Sequence, residues 1–299
     1  MRTCKTLPHT LALLALSVLA GCSNDGTEAT DALADDSRLI RFTATNAEVA
    51  TTRSASAYTG NTFQVMADLG STAYMPDQTA TKNGNEWKTS TSYYLPASGT
   101  LRFYAYAGGL SPNSRSAGTA PTFNVTDQKT NKTDLLTYTT TVAHNAASGA
   151  VPIQFDHAMS AVWFRIKSGS MAGTVGNITI PAVNNSGTYT IGTGWGSLGS
   201  STDYAVAYSS HDSNSELLLL IPQNLSGKTV TIQFTPTGGS QTTLSATLPT
   251  LNLQPGYRYE LQLEVENTGV TITTVGITNW TDPYAGTTAP SEFTQTDIL

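Results

Sequence analysis

The chain has 299 residues, of which 12% are charged, and its formal net charge at pH 7 is −6. As a soft prior, this length suggests two domains, each large enough to bury a core. An acidic balance without a basic cluster disfavours nucleic acid and anionic lipid surfaces as partners.

The N-terminus is typical of a bacterial lipoprotein signal. Arg2 and Lys5 begin an apolar run, "TLALLALSVLA", that is shorter than the ~20 residues of a membrane-spanning helix. Residues 19–22, "LAGC", resemble a lipobox. The resemblance implies that residues 1–21 are a signal peptide and that Cys22 is acylated and anchors the chain in the outer membrane. An ordinary signal-peptidase site with an incidental cysteine is the alternative.

Residues 22–37 predict an acidic, flexible tether. The segment "SNDGTEATDALADDS" is rich in carboxylates and almost free of apolar side chains. Such a composition cannot bury enough apolar surface to offset the entropy of ordering. We therefore expect the first folded element to begin after this segment.

From Leu39 onward, the hydrophobic pattern has a period of two residues, which is typical of half-buried strands. The first run, "LIRFTAT", places Ile40 and Phe42 on the same face. Similar runs recur between turn residues, as in "TFQVMADLG", "TLRFYAYAG" and "GYRYELQLEVEN". The pattern predicts an all-β chain with two antiparallel β-sandwich domains in tandem.

The predicted domain boundary is the polar, small-residue segment "TTTVAHNAASGA" at residues 139–150. The sequence after it, "VPIQFDHAMSAVWFRIK", begins a new apolar series. We therefore assign residues 38–150 to an N-terminal sandwich and residues 151–299 to a C-terminal sandwich with a C-terminal tail.

Residues that could support catalysis are scattered. The histidines have no zinc-site spacing and no neighbouring cysteine. "FDHAMS" contains the residue types of a hydrolase triad, but the adjacent Asp156 and His157 would point to opposite faces of a strand. A pair of carboxylates meeting in space stays open as a glycosidase alternative. We predict no catalytic residues, no metal and no cofactor.

The chain as a whole resembles the fimbrillin family, the type V pilins that include the Mfa-like proteins. The resemblance rests on an ordered set of segments: "TTRSAS", "YYLPASGTLRFYAYA", "DLLTY", "VPIQFDHAMSAVWFRI", "GTYTIGTGW", "LLLLIPQ", "GYRYELQLEV" and "GITNW". It implies two transthyretin-like domains and a subunit of a cell-surface fimbrium. The implied partners are other pilin subunits and an adhesion ligand on host or bacterial surfaces.

The resemblance also implies assembly by strand exchange. An arginine-specific protease removes the first strand, here Leu39, Ile40 and Phe42, and another subunit's strand fills the groove. Arg53 follows this strand in a polar stretch, so we expect cleavage between Arg53 and Ser54. In the alternative, Arg53 is a solvated loop charge and the chain is an unprocessed anchor or accessory subunit.

Two further interpretations concern the tail and the exposed aromatics. Family shaft subunits carry a C-terminal donor strand, so residues 281–299 are interpreted as a mobile donor rather than an inert end. A lipid-anchored glycan-binding protein of the same architecture is the second class of function. Its sugar-stacking platform could be built from aromatic side chains such as Trp87, Tyr93, Tyr94 and Trp195, although such side chains more often pack in a core or at strand ends.

Overall fold

The computed structural model describes residues 36–46, 58–167, 170–208, 217–266 and 269–280. Helix is limited there to a 3₁₀ turn at Asp36–Arg38 and a four-residue helix, α1, at Gln128–Asn131. Strands make up most of the rest, which confirms the all-β prediction.

The strands come in chain order from both halves of the sequence. The first eight are β1 Arg41–Asn46, β2 Thr62–Leu69, β3 Thr72–Asn83, β4 Glu86–Thr89, β5 Thr100–Ala107, β6 Thr122–Val125, β7 Leu136–Ala143 and β8 Ala150–His157. The next five are β9 Ser160–Ile166, β10 Gly173–Asn184, β11 Gly187–Thr190, β12 Gly194–Leu198 and β13 Ser201–Ala207. The last five are β14 Leu218–Leu220, β15 Thr229–Pro236, β16 Thr242–Thr247, β17 Tyr257–Glu266 and β18 Gly269–Asn279.

Seven strands form a closed sheet in the order β1-β4-β3-β2-β5-β7-β8. The sheet closes because β1 pairs with β4 on one side and with β8 on the other. Alternate apolar side chains of these strands point inward and build one core. Phe42, Phe63, Phe103 and Phe155 are among its fully buried members.

Two four-stranded sheets enclose a second core, which is a sandwich arrangement. Their orders are β13-β10-β15-β16 and β14-β9-β17-β18. The core between them includes Phe164, Ile178, Ile232 and Leu261, all fully buried. The long alternating run at residues 257–265 therefore has its predicted period, since its odd-numbered apolar side chains face this core.

A third core joins the sheets of the two halves. The small sheet β12-β11-β6 combines a strand from the first half of the chain with a hairpin from the second. Its buried residues Phe123 and Tyr189 belong to a cluster with Tyr104 of β5 and Trp163 of β9. Local periodicity could not predict this layer, because it depends on pairing between strands about 60 residues apart.

Half of the segment predicted as the domain boundary lies in strands of the closed sheet, and the other half connects two of them. Residues 139–150 contain the second half of β7 and the first residue of β8. The division into domains at residue 150 stays a prediction. The strand pairings change from the closed sheet to the sandwich sheets between His157 and Ser160.

Strand direction differs from the expectation of antiparallel sheets in two places. β1 runs parallel to β8, and β9 runs parallel to β17, whereas the other named pairs are antiparallel. Parallel neighbours require a long crossover connection, and these pairs join segments about 100 residues apart. A hydrophobic pattern along the chain cannot predict such pairings.

Candidate functional site: the first strand of the closed sheet

The first strand, β1, and Ile40 directly before it bury alternate side chains in the closed-sheet core. Ile40, Phe42 and Ala44 are each at most 5% exposed, while Thr43 between them is exposed. The Phe42 ring makes edge-to-face contacts with Phe63 at 5.9 Å and Phe103 at 6.0 Å between ring centroids. Two residues predicted for the first strand, Ile40 and Phe42, thus lie in the core, and Leu39 is half-buried beside them.

The two sides of β1 are paired to different extents. On the β8 side, a continuous parallel ladder runs from Arg41 opposite Ala150 to Asn46 opposite Phe155. On the β4 side, the strand pairing is confined to Phe42 opposite Trp87. The pairing between β1 and β4 is therefore the least extensive strand pairing in the closed sheet.

Residues before β1 continue the backbone contacts on the β4 side of the strand toward the N-terminus. An isolated antiparallel bridge joins Leu39 to Tyr94, and the Ile40 amide donates to the Tyr93 carbonyl at 2.8 Å. The Arg38 guanidinium donates to the Leu95 carbonyl at 2.9 Å. The chain thus contacts the rest of the sheet through both backbone and side chain at this end.

Tyr58 covers the opposite end of β1. Its amide donates to the Ala44 carbonyl at 3.3 Å, and its ring lies 5.0 Å from that of Phe155. Burial, with a smaller contribution from Asp134, raises the pKa of the Tyr58 hydroxyl above 10, so the group stays neutral at physiological pH. A surface cavity of about 490 Å³ opens beside Tyr58.

The cavity beside Tyr58 is lined by both apolar and polar groups. The buried Tyr106 hydroxyl donates a very short hydrogen bond to Asp77 at its wall. Burial raises the pKa values of both groups, and their hydrogen bond lowers that of Asp77 while raising that of Tyr106. The sequence offered no signal for this cavity, because Tyr58 stands alone after a polar stretch.

Several predicted site residues lie outside the described part of the chain. These are the acylation site Cys22 and the cleavage pair Arg53 and Ser54. The tail at residues 281–299 lies outside it as well. Their roles stay predictions.

The four aromatic side chains considered for a sugar platform pack against the cores instead. Trp87 is 3% exposed in the closed-sheet core, and Tyr93 and Tyr94 are half-buried. Trp195 is half-buried against the third core and donates from its indole nitrogen to the Ala158 carbonyl at 2.7 Å. These four side chains therefore do not line one exposed face.

The residues of "FDHAMS" separate in space. Asp156 is exposed and His157 is buried, as the alternation of a strand requires. His157 pairs with Asp134 at 2.8 Å and stacks on Trp280, with the ring centroids 3.8 Å apart. The Ser160 hydroxyl instead donates to the Gln254 carbonyl at 2.7 Å. The arrangement is that of structural packing around His157.

The described residues contain neither a metal-ion cluster nor a membrane-spanning helix. No group of three or more His, Cys, Asp or Glu side chains in this part of the chain could hold a metal ion. None of the helices described above has the length and apolar character needed to cross a membrane.

Comparison with known proteins gives one family. The model of a family described as fimbrillin-like matches residues 34–280, which is most of the chain. No curated protein matches the chain. The family match begins just before β1 and ends at Trp280, so it includes all three cores.

Solved structures share this fold at low sequence identity. A fimbrial protein from Bacteroides vulgatus aligns with a TM-score of 0.59 at 15% identity, over 81% of this chain and 99% of that one. Candidate cell adhesion proteins from Bacteroides ovatus and Bacteroides uniformis both align with TM-scores of 0.57, at 18% and 15% identity. The alignment with the Bacteroides ovatus protein covers 81% of this chain and 97% of that one, and the alignment with the Bacteroides uniformis protein covers 82% and 100%. At this identity the comparison supports the fold alone.

Proposed function

The chain belongs to the fimbrillin-like family, and from this premise we propose that it is a structural subunit of a type V pilus that contributes to adhesion. Membership in this family indicates a fimbrial location at the cell surface, contacts with other pilin subunits and a structural rather than enzymatic role. The finer proposal is that the chain is exported as a lipoprotein precursor and assembled by protease-triggered strand exchange.

One observation carries the proposal: β1 completes the closed-sheet core from the N-terminal end of the described fold. The strand lies at the N-terminal end of the described fold, yet its residues Phe42 and Ala44 and the adjacent Ile40 are buried. Removing it would leave β4 and β8 with unpaired backbone groups on either side of an apolar groove. A strand with the same alternation could restore both the hydrogen bonds and the burial.

The contacts of the neighbouring arginines support cleavage at Arg53. Arg38 is held by carbonyl groups of the segment between β4 and β5, and Arg41 lies within β1. A protease that binds an arginine side chain in its pocket would have to extract either residue from folded structure. Cutting after Arg53 would instead place the whole of β1 on the released fragment.

The proposal assigns separate roles to the two ends of the chain. Acylated Cys22 would hold the precursor in the outer membrane until the cut separates it from the folded part. The tail at residues 281–299 would supply the donor strand to the next subunit. The tail is long enough to reach a neighbouring subunit, since about 9 extended residues span roughly 30 Å at 3.3 Å each.

A peptide-binding experiment tests the proposal. The full chain is cut with an arginine-specific protease and the cut is located by mass spectrometry. The protease is then inhibited, because the probe contains Arg41, and a fluorescent peptide of sequence "LIRFTATN" is added. We expect binding to the cut chain and none to the uncut chain. The matched control peptide carries Asp in place of Phe42, and we expect no binding because a charge would enter the core.

Two results would contradict the proposal. Equal binding of the peptide to cut and uncut chains would show that the groove does not depend on cleavage. Absence of binding to a chain cut at Arg53, together with irreversible unfolding of that chain, would show that β1 cannot be exchanged.

A further inference from the structure

Arg38 attaches the N-terminal end of β1 to two connecting segments, one between β4 and β5 and one between β7 and β8. Its guanidinium donates to the carbonyl oxygens of Leu95 at 2.9 Å and Pro96 at 2.7 Å, and to that of His144 at 3.4 Å. Its own carbonyl accepts a hydrogen bond from the Leu95 amide at 2.9 Å. Hydrogen bonds with a charged donor are stronger than neutral ones, so Arg38 is a firm point of attachment.

Gly149 adds a second attachment at the same end. Its amide donates to the Ser37 carbonyl at 2.7 Å, and its carbonyl accepts from the Arg41 amide at 3.0 Å. A Cβ atom at this position would lie 2.1 Å from the Leu39 carbonyl oxygen. The close approach of the two backbones therefore requires glycine.

The Asn46 end of β1 is held differently. The ladder to β8 continues there, but the described contact on the β4 side beyond Phe42 is the hydrogen bond from the Tyr58 amide to Ala44 at 3.3 Å. The cavity beside Tyr58 lies at this same end of the closed sheet. Among the described residues, the hydrogen bonds of β1 outside its ladder to β8 are thus concentrated at its N-terminal end.

We propose that Arg38 is the positioning residue that retains β1 in the closed sheet after the chain has been cut. The inference rests on the proposed function. A donor strand would enter at the Asn46 end and replace the pairs of β1 one after another, and the Arg38 contacts would break last. The groove is then never empty, so the apolar core is not exposed between cleavage and exchange.

The test measures how fast the cut fragment leaves the full chain. After cleavage at Arg53, an excess of the peptide "LIRFTATN" is added and loss of the fragment is followed by native mass spectrometry. Arg38→Ala should speed the loss at least tenfold, which corresponds to about 1.4 kcal/mol of lost binding. The matched control is Arg102→Ala, an exposed arginine on β5, which should leave the rate unchanged. Equal rates for Arg38→Ala and the wild type would overturn the inference.

Hydrogen exchange gives a second test that needs neither a variant nor a cut. In the uncut wild-type chain, the Thr45 amide should exchange faster than the Arg41 amide, because β1 opens from its Asn46 end. The reverse order would overturn the inference. Failure of the peptide to enter the Arg38→Ala chain cut at Arg53, in which the retaining contacts are gone, would instead contradict the proposed function, so the two failures are distinguishable.

Discussion

Replacing Phe42 by alanine should separate the contribution of β1 to the core from that of the rest of the closed sheet. The side chain is fully buried and makes edge-to-face contacts with Phe63 and Phe103 at 5.9 and 6.0 Å. Removing a buried phenylalanine typically costs about 3–5 kcal/mol, because transfer energy is lost and a cavity remains. Each aromatic pair contributes about 0.5–1.5 kcal/mol of that loss.

The assay is urea unfolding of the uncut chain. Phe42→Ala should lower the free energy of unfolding by about 3–5 kcal/mol, measured as a lower midpoint at an unchanged slope. Thr43→Ala is the matched control on the exposed face of the same strand, with an expected change within about 0.5 kcal/mol. A Phe42→Ala midpoint equal to that of Thr43→Ala would refute the claim that β1 completes the core.

Three further predictions concern other parts of the chain. Mass spectrometry of the membrane-associated protein should find an acylated Cys22 at the N-terminus, and an unmodified Cys22 would contradict this. Asn185→Ala should lower the free energy of unfolding by about 1–3 kcal/mol, because the Asn185 side-chain oxygen accepts a hydrogen bond from the buried Tyr204 hydroxyl at 2.8 Å. A change below about 0.5 kcal/mol, which is typical of a surface substitution, would contradict this prediction. Burial raises the pKa of Glu260 above 4.5, against an opposing effect of Arg165, so its stabilising contribution is complete below that value and is lost as pH rises through the folded pKa. The wild-type free energy of unfolding should therefore fall more steeply with rising pH than that of Glu260→Gln, and equal slopes in denaturant titrations would contradict this.

The sequence predicted β1 well because its signal is local. Ile40, Phe42 and Ala44 alternate with polar or charged residues, and a period of two fixes which side chains share a face. The structure places these three in one core. Their burial could therefore be predicted without knowing which strands lie beside them.

The partners of β1 could not be predicted in this way. Its parallel neighbour, β8, begins at Ala150, more than a hundred residues along the chain, within a segment whose small polar residues suggested a linker. Gly149 belongs to that segment, yet its glycine is required by the close approach to Leu39. Composition indicates a turn or linker at such a position, but the contact that requires glycine exists only in the fold.

The contacts of Arg38 could not be predicted from the sequence either, because they also exist only in the fold. In the sequence it is one of three arginines near the predicted cleavage region, and its charge suggests solvent exposure. In the structure its guanidinium lies among backbone carbonyls of residues 95 and 96. The sequence therefore indicated which segment we propose to be exchanged, but not which contacts hold that segment in place.

Assembly of the Arg53→Ala variant tests the central claim most directly. Purified full-length wild-type and Arg53→Ala chains are treated with an arginine-specific protease, and polymers are measured by sedimentation and electron microscopy. Arg102→Ala serves as the matched control, and urea unfolding verifies that each variant is folded. We predict fibres from the wild type and from Arg102→Ala, and folded monomers from Arg53→Ala. Fibres from Arg53→Ala in wild-type amount would contradict the account.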